Sequence, residues 1–241
     1  LWTKQLLADK AEKDSPGVKP SMREAEREQL SGKTDVLYQL TASGFPAGKQ
    51  YVLWAKRLLA SEPEIVAAGF QVDPEGRAVC TPRPAGLRRA RRWLPWCADF
   101  EKSRFGLDSP RAGQPFRLGL ISSDLAIRGF AKEIPIPIEA QDGPCRLSVE
   151  LASPTGEAFA VWGEGFPPGE EIVSSGASDA DVIPEYNEKA YSKAPDTGKI
   201  LWLVSPAVVG KQSGWYMLTV TGKSCKVTVK FQWGPPAMQV Q

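Results

Sequence analysis

Two short stretches of the sequence decide the fold: Ala42-Ser43-Gly44-Phe45-Pro46-Ala47-Gly48-Lys49 and Gly163-Glu164-Gly165-Phe166-Pro167-Pro168-Gly169-Glu170. They are copies of one pattern. The offset of Gly165 from Gly44 is 165 minus 44, or 121, and the same offset aligns Phe45 with Phe166, Pro46 with Pro167 and Gly48 with Gly169. Glycine and proline at this spacing are typical of a turn. Apolar residues alternate before each copy, as a half-buried strand requires. The chain therefore contains an internal duplication made of strands and turns.

A second pair of segments, 143–151 and 223–231, matches at another offset, since 225 minus 145 is 80. In both segments a cysteine and apolar residues alternate with polar residues, which predicts strands with the cysteine facing inward. We interpret them as corresponding strands of two successive domains. The difference between the offsets, 121 minus 80, places about 41 extra residues in the first copy, roughly at 81–121.

These offsets predict an all-β protein of two tandem domains. We place a helical or flexible arm at 1–33, the first domain at 34–151 with its insertion at about 81–121, the second domain at 152–234 and a frayed tail at 235–241. The arm is predicted to be helical because Trp2, Leu6 and Leu7 have helical spacing over 1–13, and because Ser21 and Glu24 fit a capping box that opens a second helix over 21–31.

The Gly-Phe-x-Pro-Gly-Glu type of turn between two strands resembles the tandem immunoglobulin-like repeats common in exported bacterial proteins. The resemblance covers roughly 34–82 and 116–234. It implies two immunoglobulin-like β-sandwiches in an extracytoplasmic protein of bacterial origin, either periplasmic or secreted. Such repeats serve as spacers, adhesion modules and accessory domains alike, so the resemblance carries no residue-level function to this chain.

Composition narrows the classes of function. With 241 residues, 42% of them hydrophobic, the chain can form two ordinary cores. A net charge of +2 predicts no general attraction to nucleic acid, and no apolar run approaches the length of a membrane span. The sequence has no histidine and no G-x-S-x-G elbow, so it cannot form a Ser-His or Cys-His nucleophile. We therefore expect a protein that is not an enzyme and needs no cofactor or metal.

The four cysteines allow three pairings. Cys80 and Cys97 flank a short basic stretch, and a bridge between them would stabilise that loop by roughly 3 kcal/mol. Cys145 and Cys225 occupy equivalent positions of two predicted domains, so we expect them to lie too far apart to bond. A set of four buried thiols remains the alternative.

The least ordinary passage is the basic part of the insertion. Over 83–104 it has seven basic and two acidic residues, a balance of 7 minus 2 or +5, with two tryptophans interleaved. Guanidinium groups bind phosphate and carboxylate, and indoles stack on sugars or bases, so this stretch could contact a protein or an anionic or glycan partner in the cell envelope. The alternative is a short helix whose tryptophans pack on the sandwich. The candidate binding residues are Arg88, Arg89, Arg91, Arg92, Trp93 and Trp96.

Residue types in the sequence indicate two further candidate sites. Exposed tryptophans could form a sugar-stacking platform, with Trp54, Trp162, Trp202, Trp215 and Trp233 as its candidates. Asp179, Asp181 and Glu185 have oxygen ligands that calcium prefers, but they lack the spacing of a known loop. The sequence thus favours a non-enzymatic exported protein for binding, adhesion or assembly, with a carbohydrate-binding accessory module as the alternative. It leaves the oligomeric state open.

Overall fold

A computed structural model describes residues 13–30, 33–57, 60, 63–83, 96–99, 104–107, 110–178, 189–206 and 210–239. Within these ranges the chain forms sixteen β-strands, all paired antiparallel, and two 3₁₀ helices. The all-β prediction is confirmed for this part of the chain. By contact density the chain divides into two compact units: unit 1 is 1–110 with 115–133, and unit 2 is 111–114 with 134–241.

Unit 1 has two sheets with strand orders β1-β2-β6 and β5-β4-β3-β7-β8. Buried side chains from both sheets, among them Tyr38, Tyr51, Phe105 and Phe116, form one hydrophobic core between them. The strands are β1 (Lys19–Leu30), β2 (Lys33–Ser43), β3 (Tyr51–Arg57), β4 (Glu64–Val72), β5 (Ala78–Cys80), β6 (Arg104–Leu107), β7 (Phe116–Ser122) and β8 (Arg128–Glu133).

Unit 2 also has two sheets, with strand orders β14-β11-β10-β9 and β13-β12-β15-β16. Phe231 of β16 contacts the opposite sheet, because its ring centroid lies 4.6 Å from that of Phe159 on β11. Within its own sheet it lies 5.5 Å from the ring centroid of Tyr216. The strands are β9 (Ile138–Asp142), β10 (Cys145–Leu151), β11 (Phe159–Glu164), β12 (Glu171–Ser178), β13 (Lys189–Lys193), β14 (Ile200–Val204), β15 (Gly214–Thr221) and β16 (Lys226–Trp233).

The two units share one strand order. Strands β1-β2-β6 of unit 1 correspond to β10-β11-β14 of unit 2, and β4-β3-β7-β8 correspond to β13-β12-β15-β16. Apart from the added strands β5 and β9, the chain of each unit forms two strands of the first sheet, crosses to the second sheet for two strands, returns to the first for one strand and ends in the second. This is a Greek-key connection of the kind found in immunoglobulin-like sandwiches. Strands β5 and β9 are additions to that common order.

The duplicated turn has the same physical basis in both units. Gly44 and Gly165 have φ of 73° and 82°, a region that favours glycine. A Cβ on Gly44 would lie 2.0 Å from the carbonyl oxygen of Gly17, and one on Gly165 would lie 1.9 Å from that of Pro144. Glycine is therefore required at both positions because the backbone approaches too closely for a side chain. The phenylalanine that follows each glycine is buried.

A short segment of the chain belongs to unit 2 although residues of unit 1 flank it on both sides. Between β6 and β7, residues 111–114 belong to unit 2. There the N–H of Gly113 donates to the carbonyl of Ile136 at 2.7 Å, and the N–H of Leu151 donates to the carbonyl of Gly113 at 2.8 Å. The polypeptide therefore passes between the units three times, at 110/111, 114/115 and 133/134.

The predicted helix over 21–31 is wrong, because residues 19–30 form β1 and pair with β2 along its length. Good helix formers are common there, but pairing in a sheet outweighs local propensity. Val18 and Pro20 are buried and Met22 packs against the core, whereas residues 23–28 are exposed, so the start of this strand is the part that contacts the core. The other predicted helix, over 1–13, falls almost wholly outside the described residues.

The segment match at offset 80 was interpreted wrongly. Residues 143–151 contain β10 and residues 223–231 hold most of β16, and these are strands of the two sheets of a single unit rather than equivalent strands of two domains. Cys145 and Cys225 are therefore neighbours, with Cα atoms 6.3 Å apart, and they form a disulfide. The two segments look alike because both strands alternate inward and outward from a cysteine at the same end of the sandwich. The predicted boundary at 151/152 accordingly falls between the paired strands β10 and β11.

The extra residues of unit 1 occupy a narrower range than about 81–121. Strands β6 and β7 are part of the common order, so the addition lies between β4 and β6, where unit 2 runs directly from β13 to β14. The tail is also more ordered than predicted. Trp233 is buried, and Pro235–Met238 form a 3₁₀ helix.

Candidate functional site

Most of the predicted basic site lies outside the described residues. Arg88, Arg89, Arg91, Arg92 and Trp93 fall within 84–95, and only the two attachments of this stretch, 78–83 and 96–99, are described. The stretch 84–95 holds four arginines and no acidic residue, a charge of +4. We call it the basic segment. Asp179, Asp181 and Glu185 also fall outside the described residues.

A disulfide joins the residues on either side of the basic segment. Cys80, the last residue of β5, is bonded to Cys97, and their Cα atoms are 5.2 Å apart. Cys97 is 1% exposed and belongs to the core of unit 1, and Cys80 packs against that core. This is one of the pairings that the sequence left open. It holds the two ends of the basic segment together beside the edge of the five-stranded sheet.

Trp96 forms the second attachment. Its indole N–H donates to the carbonyl of Thr81 at 2.7 Å, and its backbone forms a bridge with Ala68. The ring lies against Gly69, where a Cβ would be 2.1 Å from the indole Cε2. The Thr81 hydroxyl donates to the carbonyl of Gly69 at 2.9 Å. Trp96, which the sequence predicted as a candidate binding residue, thus packs on β4. This agrees with the alternative in which the tryptophans of the insertion pack on the sandwich.

Within unit 2, the tryptophans proposed as a sugar platform do not share one exposed face. Trp233 is buried, and Trp202 lies against Gly163 on the inner side of its sheet. Trp54 lies on β3 of unit 1. Trp215 is 43% exposed, and the ammonium of Lys230 lies 4.6 Å from its ring centroid. The ring face that a sugar would use thus already has a cation beside it.

An exposed apolar strip was missed by sequence reasoning. It lies on β14, where Leu203 is 80% exposed and Leu201 is 45% exposed. Their register partners on β11 are Ala160 and Trp162, on the outer face of the same sheet. The signal was the uninterrupted apolar run of residues 200–204, because a strand with one solvated face ordinarily alternates with polar residues.

Two carboxylates of unit 1 have pKa values shifted by their surroundings. The pKa of Asp124 is held well below its usual range by hydrogen bonds from the Lys49 ammonium and the Ser122 hydroxyl. Burial raises the pKa of Glu133, and the nearby carboxylate of Glu24 adds to the effect. In the part of the chain that the structure describes, no three acidic or cysteine side chains come close enough to hold a metal ion. No helix among these residues has the length and apolar character to cross a bilayer.

Comparison with known proteins gives no family. No family model matches the chain, and no curated protein matches it. Among solved structures, the tetra-tandem repeat in the extending region of a large adhesion protein is 8% identical, with a TM-score of 0.28; the match covers 90% of this chain and 49% of that one. The FN1–FN3 domains of chicken CNTN1 are 8% identical, with a TM-score of 0.26, and the match covers 90% of this chain and 65% of that one. The chain thus spans about half the length of the first and 65% of the second.

Proposed function

We propose that the chain is a non-enzymatic, exported protein of two tandem immunoglobulin-like domains that works in binding, adhesion or assembly. The basic segment is its contact with a partner. The observation that carries this proposal is the double attachment of that segment, by the Cys80–Cys97 disulfide and by Trp96 on β4. A loop whose ends are fixed on a rigid sheet loses less conformational entropy when it binds than a free loop does.

The chemistry of the segment indicates the class of partner. Four arginines without an acidic neighbour in 84–95 favour a surface rich in carboxylate, sulfate or phosphate groups. The net charge of the whole chain is only +2, so attraction to such a surface depends on this local concentration of charge. An anionic envelope polymer or an acidic protein surface fits this description.

The test compares three full-length proteins on an immobilised polyanion, heparin. One is the unaltered chain, one has Arg88, Arg89, Arg91 and Arg92 all changed to Gln, and the control has the same number of charges removed from unit 2. The control changes are Lys193→Gln, Lys211→Gln, Lys223→Gln and Lys226→Gln. We expect the arginine variant to elute at much lower salt and the control to elute close to the unaltered chain.

Two results would count against this proposal. Equal loss of retention in the arginine variant and the control would show that only total charge matters. If heparin retains neither the unaltered chain nor the variants, an anionic partner is excluded. A variant with all four arginines changed to Lys separates charge from guanidinium geometry, since Lys keeps the charge but not the planar fork.

A further inference from the structure

Among the strands of unit 2 that the structure describes, β14 differs from the other sheet edges because it carries no charged residue. Edge strands expose unpaired backbone groups, and proteins usually shield them with charged residues, proline or bulges. Among the described strands, β9, β13 and β16 end the other edges, and each carries charged residues: Glu139 and Asp142 on β9, Lys189 and Lys193 on β13, Lys226 and Lys230 on β16. Strand β14 reads Ile-Leu-Trp-Leu-Val and carries none.

The corresponding edge of unit 1 is protected. Leu203 pairs with Ala160 of β11, and Arg104 pairs with Gln39 of β2. Gln39 and Ala160 are related by the offset of 121, so Leu203 and Arg104 occupy equivalent positions. The guanidinium of Arg104 forms an ion pair with Glu26. At the place where unit 1 has a paired charge, unit 2 has a leucine that is 80% exposed.

We propose that β14 pairs with β14 of a second copy of this chain, in antiparallel register about a two-fold axis at Trp202. The strand is self-complementary in this register. Leu201 of each copy lies opposite Leu203 of the other, and Ile200 lies opposite Val204. A two-fold axis uses the same patch on both molecules, so an interface of this kind must match itself. The pairing joins two four-stranded sheets into one antiparallel sheet.

The chemistry of the apolar strip on β14 favours a second copy of this chain over a different protein. No residue from 200 to 204 is charged, so no charge is left buried without a partner when the strands meet. Each leucine that is now exposed gains an apolar neighbour across the new pair. A strand of five residues buries little area, which places the association among weak, concentration-dependent interfaces.

The first test measures molar mass by sedimentation over a wide concentration range, with the full-length chain and Leu203→Arg. This substitution places in unit 2 the residue that protects the edge of unit 1. We expect the unaltered chain to pass from monomer to dimer as concentration rises. In Leu203→Arg the dissociation constant should rise by about a hundredfold or more, since each dimer loses two buried leucines.

The control is Val79→Arg, which adds the same charge at an exposed apolar residue of β5. It should leave the dimer unchanged. A chain that stays monomeric at every concentration overturns the proposal and assigns the strip to a different protein. A dimer that survives in Leu203→Arg, or that is lost equally in Val79→Arg, also overturns it.

The second test fixes the register by cross-linking. All four native cysteines are in disulfides, so an added cysteine is the single free thiol. Leu201→Cys and Leu203→Cys are prepared separately and then oxidised alone or mixed. Directly opposed residues of an antiparallel pair have Cα atoms about 4.5–5.5 Å apart, within disulfide range. A covalent dimer should form in the mixture far more than in either variant alone. Equal yields in the three samples contradict the proposed register.

Discussion

Unit 1 and unit 2 follow the same strand order but are cross-linked at different places. In unit 2 the Cys145–Cys225 disulfide joins the start of β10 to the start of β16. The residue of unit 1 equivalent to Cys145 is Val18, because it follows Gly17, whose carbonyl approaches Gly44. The residue equivalent to Cys225 is Ile127, whose carbonyl accepts a hydrogen bond from the N–H of Ser122 in the β7–β8 turn. Both are aliphatic, and Val18 is buried.

The difference shows that the sandwich itself does not require the cross-link. Unit 1 fills the same place with two aliphatic side chains and uses its disulfide, Cys80–Cys97, to close the extra segment between β4 and β6. The covalent bond stabilises a sandwich in unit 2 and positions a loop in unit 1. Three comparisons between the units and two substitutions of carboxylates in unit 1 test how far the two sandwiches differ.

The largest effect is expected from Cys145→Ala combined with Cys225→Ala. This bridge closes a sequence separation of 80, so its loss should lower the free energy of unfolding of unit 2 by about 4 kcal/mol. Chemical denaturation followed by hydrogen exchange assigns the loss to unit 2. The matched variant Cys80→Ala with Cys97→Ala opens a separation of 17 and should cost unit 1 less, about 3 kcal/mol. A larger loss in the second variant would reverse the proposed roles of the two bridges.

The next largest loss of stability is expected at the glycine of the duplicated turn, and it should be equal in the two units. Gly44→Ala and Gly165→Ala each place a Cβ against a backbone carbonyl at positive φ, and each should cost about 3 kcal/mol. Gly48→Ala and Gly169→Ala are controls, because they share the positive φ but have open space around the Cβ. These should cost only about 1 kcal/mol by thermal denaturation. If all four variants lose the same stability, φ alone explains the glycines and the close backbone contact does not matter.

A smaller difference in stability between the units is expected at the residue that follows the duplicated turn, which is Lys49 in unit 1 and Glu170 in unit 2. In unit 2 the buried Glu170 accepts a hydrogen bond from the backbone N–H of Lys223. In unit 1 Lys49 instead forms an ion pair with Asp124 at 2.6 Å, near the surface. Glu170→Ala should cost about 2 kcal/mol because the backbone N–H of Lys223 loses its buried acceptor. Lys49→Ala should change stability little, since exposed ion pairs contribute little.

The pH dependence of the Lys49–Asp124 pair adds a second readout. The pKa of Asp124 is lower in the folded chain than its ordinary value, so its contribution is complete above the ordinary aspartate pKa and is lost as the pH falls below it. Asp124→Asn should remove this part of the acid sensitivity of unit 1. An unchanged acid profile in that variant would show that other carboxylates control it.

The smallest effect is expected from Glu133→Gln in unit 1. Burial and the carboxylate of Glu24 raise the pKa of Glu133 in the folded chain. Its contribution to stability is therefore full below the ordinary glutamate pKa and falls as the pH rises through the raised value. At neutral pH the substitution should raise the melting temperature slightly, and at acid pH it should have no effect. A drop in melting temperature at neutral pH would contradict this account.

The strands and the turn were predictable because their signals are local. Alternation before each copy of Gly-Phe-Pro-x-Gly predicted β2 and β11, and the buried Phe45 and Phe166 agree with the predicted turn. The helix predicted over 21–31 failed because its residues favour a helix locally, and only pairing with β2, a non-local contact, makes them a strand.

The errors of organisation came from one ambiguous pattern. An alternating strand that begins with cysteine looks the same whether it recurs in the next domain or faces its partner across one core. Choosing the first interpretation separated Cys145 from Cys225 and moved the boundary to 151/152. The candidate site was only partly predictable. The bracketing cysteines Cys80 and Cys97 were visible in the sequence, whereas the contact of Trp96 with Gly69 depends on a glycine far along the chain.

The passage of residues 111–114 into unit 2 has a consequence for how this gene could have diversified. Because Gly113 bonds to Ile136 and Leu151, a fragment that starts at 134 lacks hydrogen bonds that belong to its own unit. Neither unit is a contiguous cassette that recombination could copy or exchange with one pair of breakpoints. A recombination event that moved either copy alone would therefore separate residues 111–114 from the unit to which they are hydrogen-bonded.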